Sequence, residues 1–170
     1  MALNETPSGN RLHIGIFGRT NSGKSSFINA FSGQKVSIVA DIAGTTTDPV
    51  YKPMEIYPLG PCVLIDTAGF DDCGELGKLR LEKTDLAAQK TDLAVILFSD
   101  EEMSQELKWF AYFKKKNTPV IPVLSKKDIR TQEQSESLIR EIYNHTKEEV
   151  CLVSSQTGEG MEHLKERMAR

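Results

Sequence analysis

The chain has 170 residues, 39% hydrophobic and 26% charged, enough for one soluble globular domain with a full core. Its 21 basic and 24 acidic residues leave a net charge of −3, which argues against a surface built to grip nucleic acid or an acidic membrane. Three cysteines (Cys62, Cys73, Cys151) with no CxxC spacing form no zinc or iron–sulfur pattern and fit a reducing cytosol, and the longest apolar run, Leu93 to Phe98, is far too short to span a bilayer. A soluble, cytoplasmic protein is expected.

Residues 1–9 are polar and are expected to be a flexible amino terminus ahead of a single domain over 10–170. Leu12 to Phe17 (LHIGIF) reads as a buried strand and Lys24 to Phe31 as a helix. Between them runs Gly18-Arg19-Thr20-Asn21-Ser22-Gly23-Lys24-Ser25, the GxxxxGK[ST] pattern of a phosphate-binding loop. Phosphate oxygens need several donors converging from one side, and a glycine-rich turn running into a helix supplies backbone N–H groups in that arrangement. The predicted phosphate contacts are Asn21, Ser22, Gly23, Lys24, Ser25 and Ser26, with Lys24 on the β- and γ-phosphates and the Ser25 hydroxyl on Mg²⁺.

The segment Ala43-Gly44-Thr45-Thr46-Thr47-Asp48 offers a hydroxyl to close over magnesium. Thr46 is the chosen ligand, with Thr45 or Thr47 as alternatives. Glu55 to Leu59 and Cys62 to Ile65 read as a strand pair turning at Gly60-Pro61. Asp66-Thr67-Ala68-Gly69 follows at a strand's carboxyl end, where Asp66 is placed to hold a magnesium-bound water and the Gly69 N–H to contact the γ-phosphate. Lys24, Thr46 and Gly69 are the candidate catalytic groups.

Leu93 to Phe98 and Val120 to Leu124 are near-continuous apolar runs, as parallel strands covered on both faces require, and Val150 to Val153 is a last short strand. Helices are predicted over Leu79 to Gln89, Ser104 to Lys116, Thr131 to Asn144 and Met161 to Met168. Alternating strands and helices predict a three-layer α/β domain with a mostly parallel sheet. Trp109, Phe110 and Phe113 read as a core stripe, and Lys114 to Lys116 as cations at a helix end.

Purine choice is assigned to Ser125-Lys126-Lys127-Asp128. The Asp128 carboxylate accepts two hydrogen bonds from guanine, a pair that adenine cannot offer, and the stem of Lys126 lies against the base. Ser154 and Ser155 open a turn whose backbone N–H groups are candidates to receive the guanine O6; by itself that segment is a turn before a helix.

Together these segments resemble the five motifs of translation-factor-like GTPases, in order from Gly18 to Gly160. The resemblance implies a Ras-like P-loop fold with one antiparallel edge strand, binding of GTP and GDP, and slow hydrolysis. Phe70 stands where Ras-like enzymes carry the water-orienting glutamine, as in the hydrophobic-substituted GTPases that include MnmE (TrmE). That group implies K⁺ held by Asn21 and the Ala40-Asp41-Ile42-Ala43-Gly44 segment, and Glu75 as the residue orienting water.

Three stretches further resemble the amino-terminal domain of the hydrogenase-maturation GTPases of the HydF family: Leu3 to Ser8, Gly44 to Lys52 and Asp71 to Gly77. That resemblance implies a switch in assembly of the FeFe-hydrogenase cluster, with the maturases HydE and HydG and the hydrogenase apoprotein as partners. It also implies that the family's dimerisation and cysteine-rich domains are missing from this chain. The alternatives are a TrmE/Era-like GTPase in tRNA modification or ribosome assembly, and a GTP-sensing module with little hydrolysis. Ser125 departs from the asparagine usual at its position, so weak, exchange-prone GTP binding is expected.

Overall fold

The computed structural model describes residues 11–18, 24–32, 50–56, 59–66, 86–99, 103–125 and 131–169. They build a six-stranded sheet in the order β2-β3-β1-β4-β5-β6, with β1 over Leu12–Phe17, β2 over Val50–Ile56, β3 over Gly60–Asp66, β4 over Leu93–Phe98, β5 over Val120–Leu124 and β6 over Cys151–Leu152. All neighbouring pairs are parallel except β2 with β3. The helices are α1 (Lys24–Ser32), α2 (Ser104–Lys115), α3 (Gln132–Thr146) and α4 (Met161–Met168), with a short helical stretch over 86–89.

The central strands are uniformly apolar because both their faces are covered. On one face Ile14, Ile16, Leu64, Val95 and Val123 meet Phe27, Ile28 and Phe31 of α1 and Met161, Leu164 and Met168 of α4. On the other, Phe17, Ile96, Phe98 and Leu124 meet Phe110 and Phe113 of α2 and Leu138 and Ile142 of α3. Each fully buried side chain of this size stabilises by roughly 1.5–3 kcal/mol, so the two layers hold the sheet from both sides. Trp109 is partly buried and stacks on Phe17 with ring centroids 5.4 Å apart. The aromatic segment of α2 is core stripe, as the sequence implied.

Helix ends carry local signals. Thr131 is the N-cap of α3, its hydroxyl accepting from Gln134 N–H while the Gln134 side chain accepts from Thr131 N–H. Lys116 Nζ, just past α2, donates to the carbonyls of Ala88 and Gln89 at 3.2 Å each.

Three sequence expectations need correction. The edge strand begins earlier than Glu55, at Val50, and Gly60 and Pro61 lie inside β3, opposite Ile56 and Glu55, instead of forming the turn. Pro61 is tolerated because pairing of β3 with β1 starts only at Cys62, opposite Leu12, so its missing N–H removes no rung of that ladder. The last strand is also shorter, leaving out Val150 and Val153.

Gly15 is required by packing. A Cβ there would lie 2.5 Å from both Phe17 Cε1 and Thr91 Oγ1. Thr91 needs that space, since its hydroxyl donates to Ala87 O at 2.9 Å and ties the 86–89 stretch to the start of β4.

Candidate functional site

The strand register decides which side chains meet. Ile16, two residues before Gly18, lies opposite Asp66, and Phe98 lies opposite Leu124, which lies opposite Leu152. The carboxyl ends of β1, β3, β4, β5 and β6 therefore form one rim. β1 leads to β3 on one side and β4 to β5 on the other, so the rim contains a topological switch point, the place where open α/β sheets bind ligands.

Lys24 opens α1 and Asp66 closes β3, 42 residues apart in the chain, and the fold joins them. Lys24 Nζ donates to Asp66 Oδ1 at 3.0 Å, with both side chains only 10% exposed. An ammonium and a carboxylate at such burial hold each other's charge, since either alone would carry a large desolvation cost. Such a pair fits a magnesium polyphosphate: the cation suits phosphate oxygens, and the hard carboxylate oxygen suits Mg²⁺ or its water.

Ser25 follows in the first turn of α1, but its side chain lies outside the described residues; Ser26 is exposed. Asn21, Ser22, Gly23, Thr46, Gly69, Glu75, Lys126 and Asp128 lie outside the described residues as well.

At the other end of the rim, Ser125 is 1% exposed. Its N–H donates to Phe98 O at 2.9 Å and its hydroxyl reaches the same oxygen at 3.4 Å, so the side chain works between β4 and β5. Ser154 is also buried, and Ser155 is half-buried beside it. The sequence offered the amides of both serines to a purine, yet Ser154 N–H donates to Glu159 O at 3.0 Å inside its own turn. Thr157 and Glu159, to which the sequence assigned no role, hold that turn together. The only sequence signal for this is a Ser/Thr/Gly-rich stretch before an apolar helix.

The two described cysteines are buried and free. Burial pushes the Cys62 thiol up to about 11, with the nearby Arg11 charge opposing and Glu55 adding to the shift. Burial likewise raises Cys151, against the hydrogen bond from Arg167 at 3.3 Å. Neither lies on the rim. The described residues contain no helix long and apolar enough to cross a membrane.

Residues 13–126 match the family model for 50S ribosome-binding GTPases. The chain is similar to the GTPase Der of Wolinella succinogenes, 36% identical over 177 residues that cover 99% of this chain and 37% of Der. It is also similar to the tRNA modification GTPase MnmE of Endomicrobium trichonymphae, 37% identical over 172 residues that cover 95% of this chain and 36% of MnmE. A solved structure of Era in complex with MgGDPNP and nucleotides 1506–1542 of 16S ribosomal RNA superposes with a TM-score of 0.75 at 27% identity, over 92% of this chain and 55% of Era. The chain spans little more than a third of the length of the two curated relatives.

Proposed function

The chain belongs to the 50S ribosome-binding GTPase family and is a P-loop GTPase domain of the TrmE/Era/Der type, and from that premise we infer that it hydrolyses GTP to GDP and phosphate as a switch in tRNA modification or ribosome assembly. The observation that carries the chemistry is the buried Lys24–Asp66 pair at the carboxyl ends of β1 and β3. The cellular role rests on likeness to a tRNA modification GTPase and to Era, solved with 16S rRNA. That likeness is also the reason to test RNA, despite the net charge of −3.

In this reading, incoming phosphate oxygens take the place of Asp66 on the Lys24 ammonium, so that charge stays compensated throughout. Ser25 and Thr46 would hold magnesium, and Asp66 the ion or one of its waters; when bound, the ion would neutralise charge on the β- and γ-phosphates. Gly69 N–H contacts the γ-phosphate, and Glu75 orients water for in-line attack, a task Phe70 has no polar group to perform. The P–O bond to the β-phosphate breaks, and GDP leaves with the electron pair. Asp128 and Lys126 select the guanine. Asn21 is the proposed K⁺ ligand, on the strength of the resemblance to MnmE-like enzymes.

A second reading, the switch of hydrogenase maturation with HydE and HydG as partners, is favoured by the stretches Gly44 to Lys52 and Asp71 to Gly77. Two measurements test these proposals. Lys24→Ala should lower GTP turnover by about 100-fold or more while the far-ultraviolet circular dichroism is kept; unchanged turnover refutes the chemistry. Nitrocellulose filter binding with tRNA and a 16S rRNA fragment, each with GTP and GDP, should show nucleotide-dependent retention. No retention of RNA, together with capture of purified HydE or HydG by the immobilised chain, moves the assignment to the second reading.

A further inference from the structure

The side-chain oxygen of Asn29, in the second turn of α1, is closed off from solvent and accepts no hydrogen bond among the described residues. The main-chain carbonyl of the same residue is served, taking the Ser32 hydroxyl at 3.3 Å, so the deficit belongs to the side chain. A buried carbonyl left without a donor costs more free energy than a made hydrogen bond returns, and native folds leave few such atoms.

The face of α1 that meets the sheet carries Phe27, Ile28 and Phe31. Asn29, two residues from each phenylalanine, lies to the side of that face. Position 25, the proposed magnesium ligand, is four residues earlier and so one turn nearer the rim on the same side of the helix. From Lys24 at the rim, α1 runs back over the sheet to Ser32, about 12 Å further along its axis. The chain re-enters the fold at Val50, opposite Asp66 and level with the rim again. A connection between those two points passes the level of Asn29.

We propose that Asn29 is a positioning residue for the magnesium–GTP state: its side-chain oxygen accepts a main-chain N–H from the connection between α1 and β2, the stretch that carries Thr46. That bond ties the stretch to the helix that bears Ser25, and so places the Thr46 hydroxyl for the metal. Asn29 touches neither nucleotide nor ion and acts through Thr46. A ligand held by such supporting hydrogen bonds spends less free energy on ordering when the metal arrives. GDP without magnesium makes no call on Thr46, so the bond favours one nucleotide state over the other. The proposal rests on the GTPase reading above.

The test is calorimetric titration of the full chain with GDPNP in Mg²⁺ and with GDP in EDTA, alongside thermal melting of the nucleotide-free protein. Asn29→Leu, close in shape and without polar atoms, should weaken GDPNP about 10-fold and leave GDP unmoved. Its nucleotide-free melting temperature should stay level or rise, since an uncompensated acceptor has been removed. Asn29→Ala should lose the same factor on GDPNP, which separates a lost hydrogen bond from a clash at leucine. A merely structural role moves the other readouts: an Asn29→Leu protein that melts lower and binds both nucleotides more weakly alike overturns the proposal. GDPNP affinity unchanged in either variant overturns it as well. Wild-type protein that binds neither nucleotide overturns the GTPase reading, and this inference with it.

Discussion

Replacing Asp66 by asparagine keeps the side chain's shape and removes its charge. At 3.0 Å and an effective dielectric constant of about 20, the attraction lost is roughly 5 kcal/mol before desolvation is counted. Truncating one member of a buried pair costs about 3 kcal/mol net, because the surviving charge stays in the interior. For a domain of this size each kcal/mol moves the melting temperature by about 2–4 °C, so the nucleotide-free variant should melt roughly 10 °C lower. A phosphate group can then supply the anion that the neutral amide cannot. Melting followed by circular dichroism in EDTA, with and without GDP, should therefore show a larger GDP-induced rise in Asp66→Asn than in wild type, where Asp66 competes for Lys24. With Mg²⁺ and GTP the order inverts, and the variant should turn over far more slowly. A variant melting within about 1 °C of wild type, or gaining no more from GDP than wild type does, would refute the account of the pair.

Other outcomes are as definite. Gly15→Ala should cost about 2–3 kcal/mol by overpacking against Phe17 and Thr91, read as an earlier urea midpoint at unchanged slope. Ser125→Asn should slow GDP release by about 5-fold, one added hydrogen bond's worth, measured by chase of a fluorescent GDP; an unchanged rate removes Ser125 as the cause of fast exchange. Turnover in KCl should exceed that in NaCl at matched ionic strength, and equal rates exclude a K⁺ site involving Asn21. Cys62 has its folded pKa raised from 9.0 to about 11, so its contribution to stability is complete below pH 9 and is lost as the pH rises through about 11. Wild type should accordingly lose more stability than Cys62→Ala across that interval in denaturant titrations.

What the sequence revealed depended on how completely each segment is buried. LHIGIF, LAVILF and VIPVL are covered on both faces and read directly as strands. VYKPMEI did not, because it is an edge: Tyr51, Pro53 and Glu55 are exposed while Met54 and Ile56 are buried, and a proline in its middle imitates a break. The Gly60-Pro61 turn signal failed for the related reason that Pro61 sits beyond the first rung with β1. At the site, the phosphate-loop and DxxG motifs named Lys24 and Asp66, but no spacing rule states that they touch; the parallel register of β1 and β3 does that. Likewise, two adjacent serines are equivalent on paper, and only closure of the turn onto Glu159 commits the amide of Ser154.

The stack of Trp109 on Phe17 has an optical consequence. Trp109 is the chain's single tryptophan, and the ring beneath it belongs to the last residue of β1, next to Gly18. Its emission therefore comes from one place, the seam where α2 leans on the stem of the phosphate-binding loop. Unlabelled protein thus carries its own lamp at that seam, and a stopped-flow trace on adding nucleotide would time any movement there without a dye.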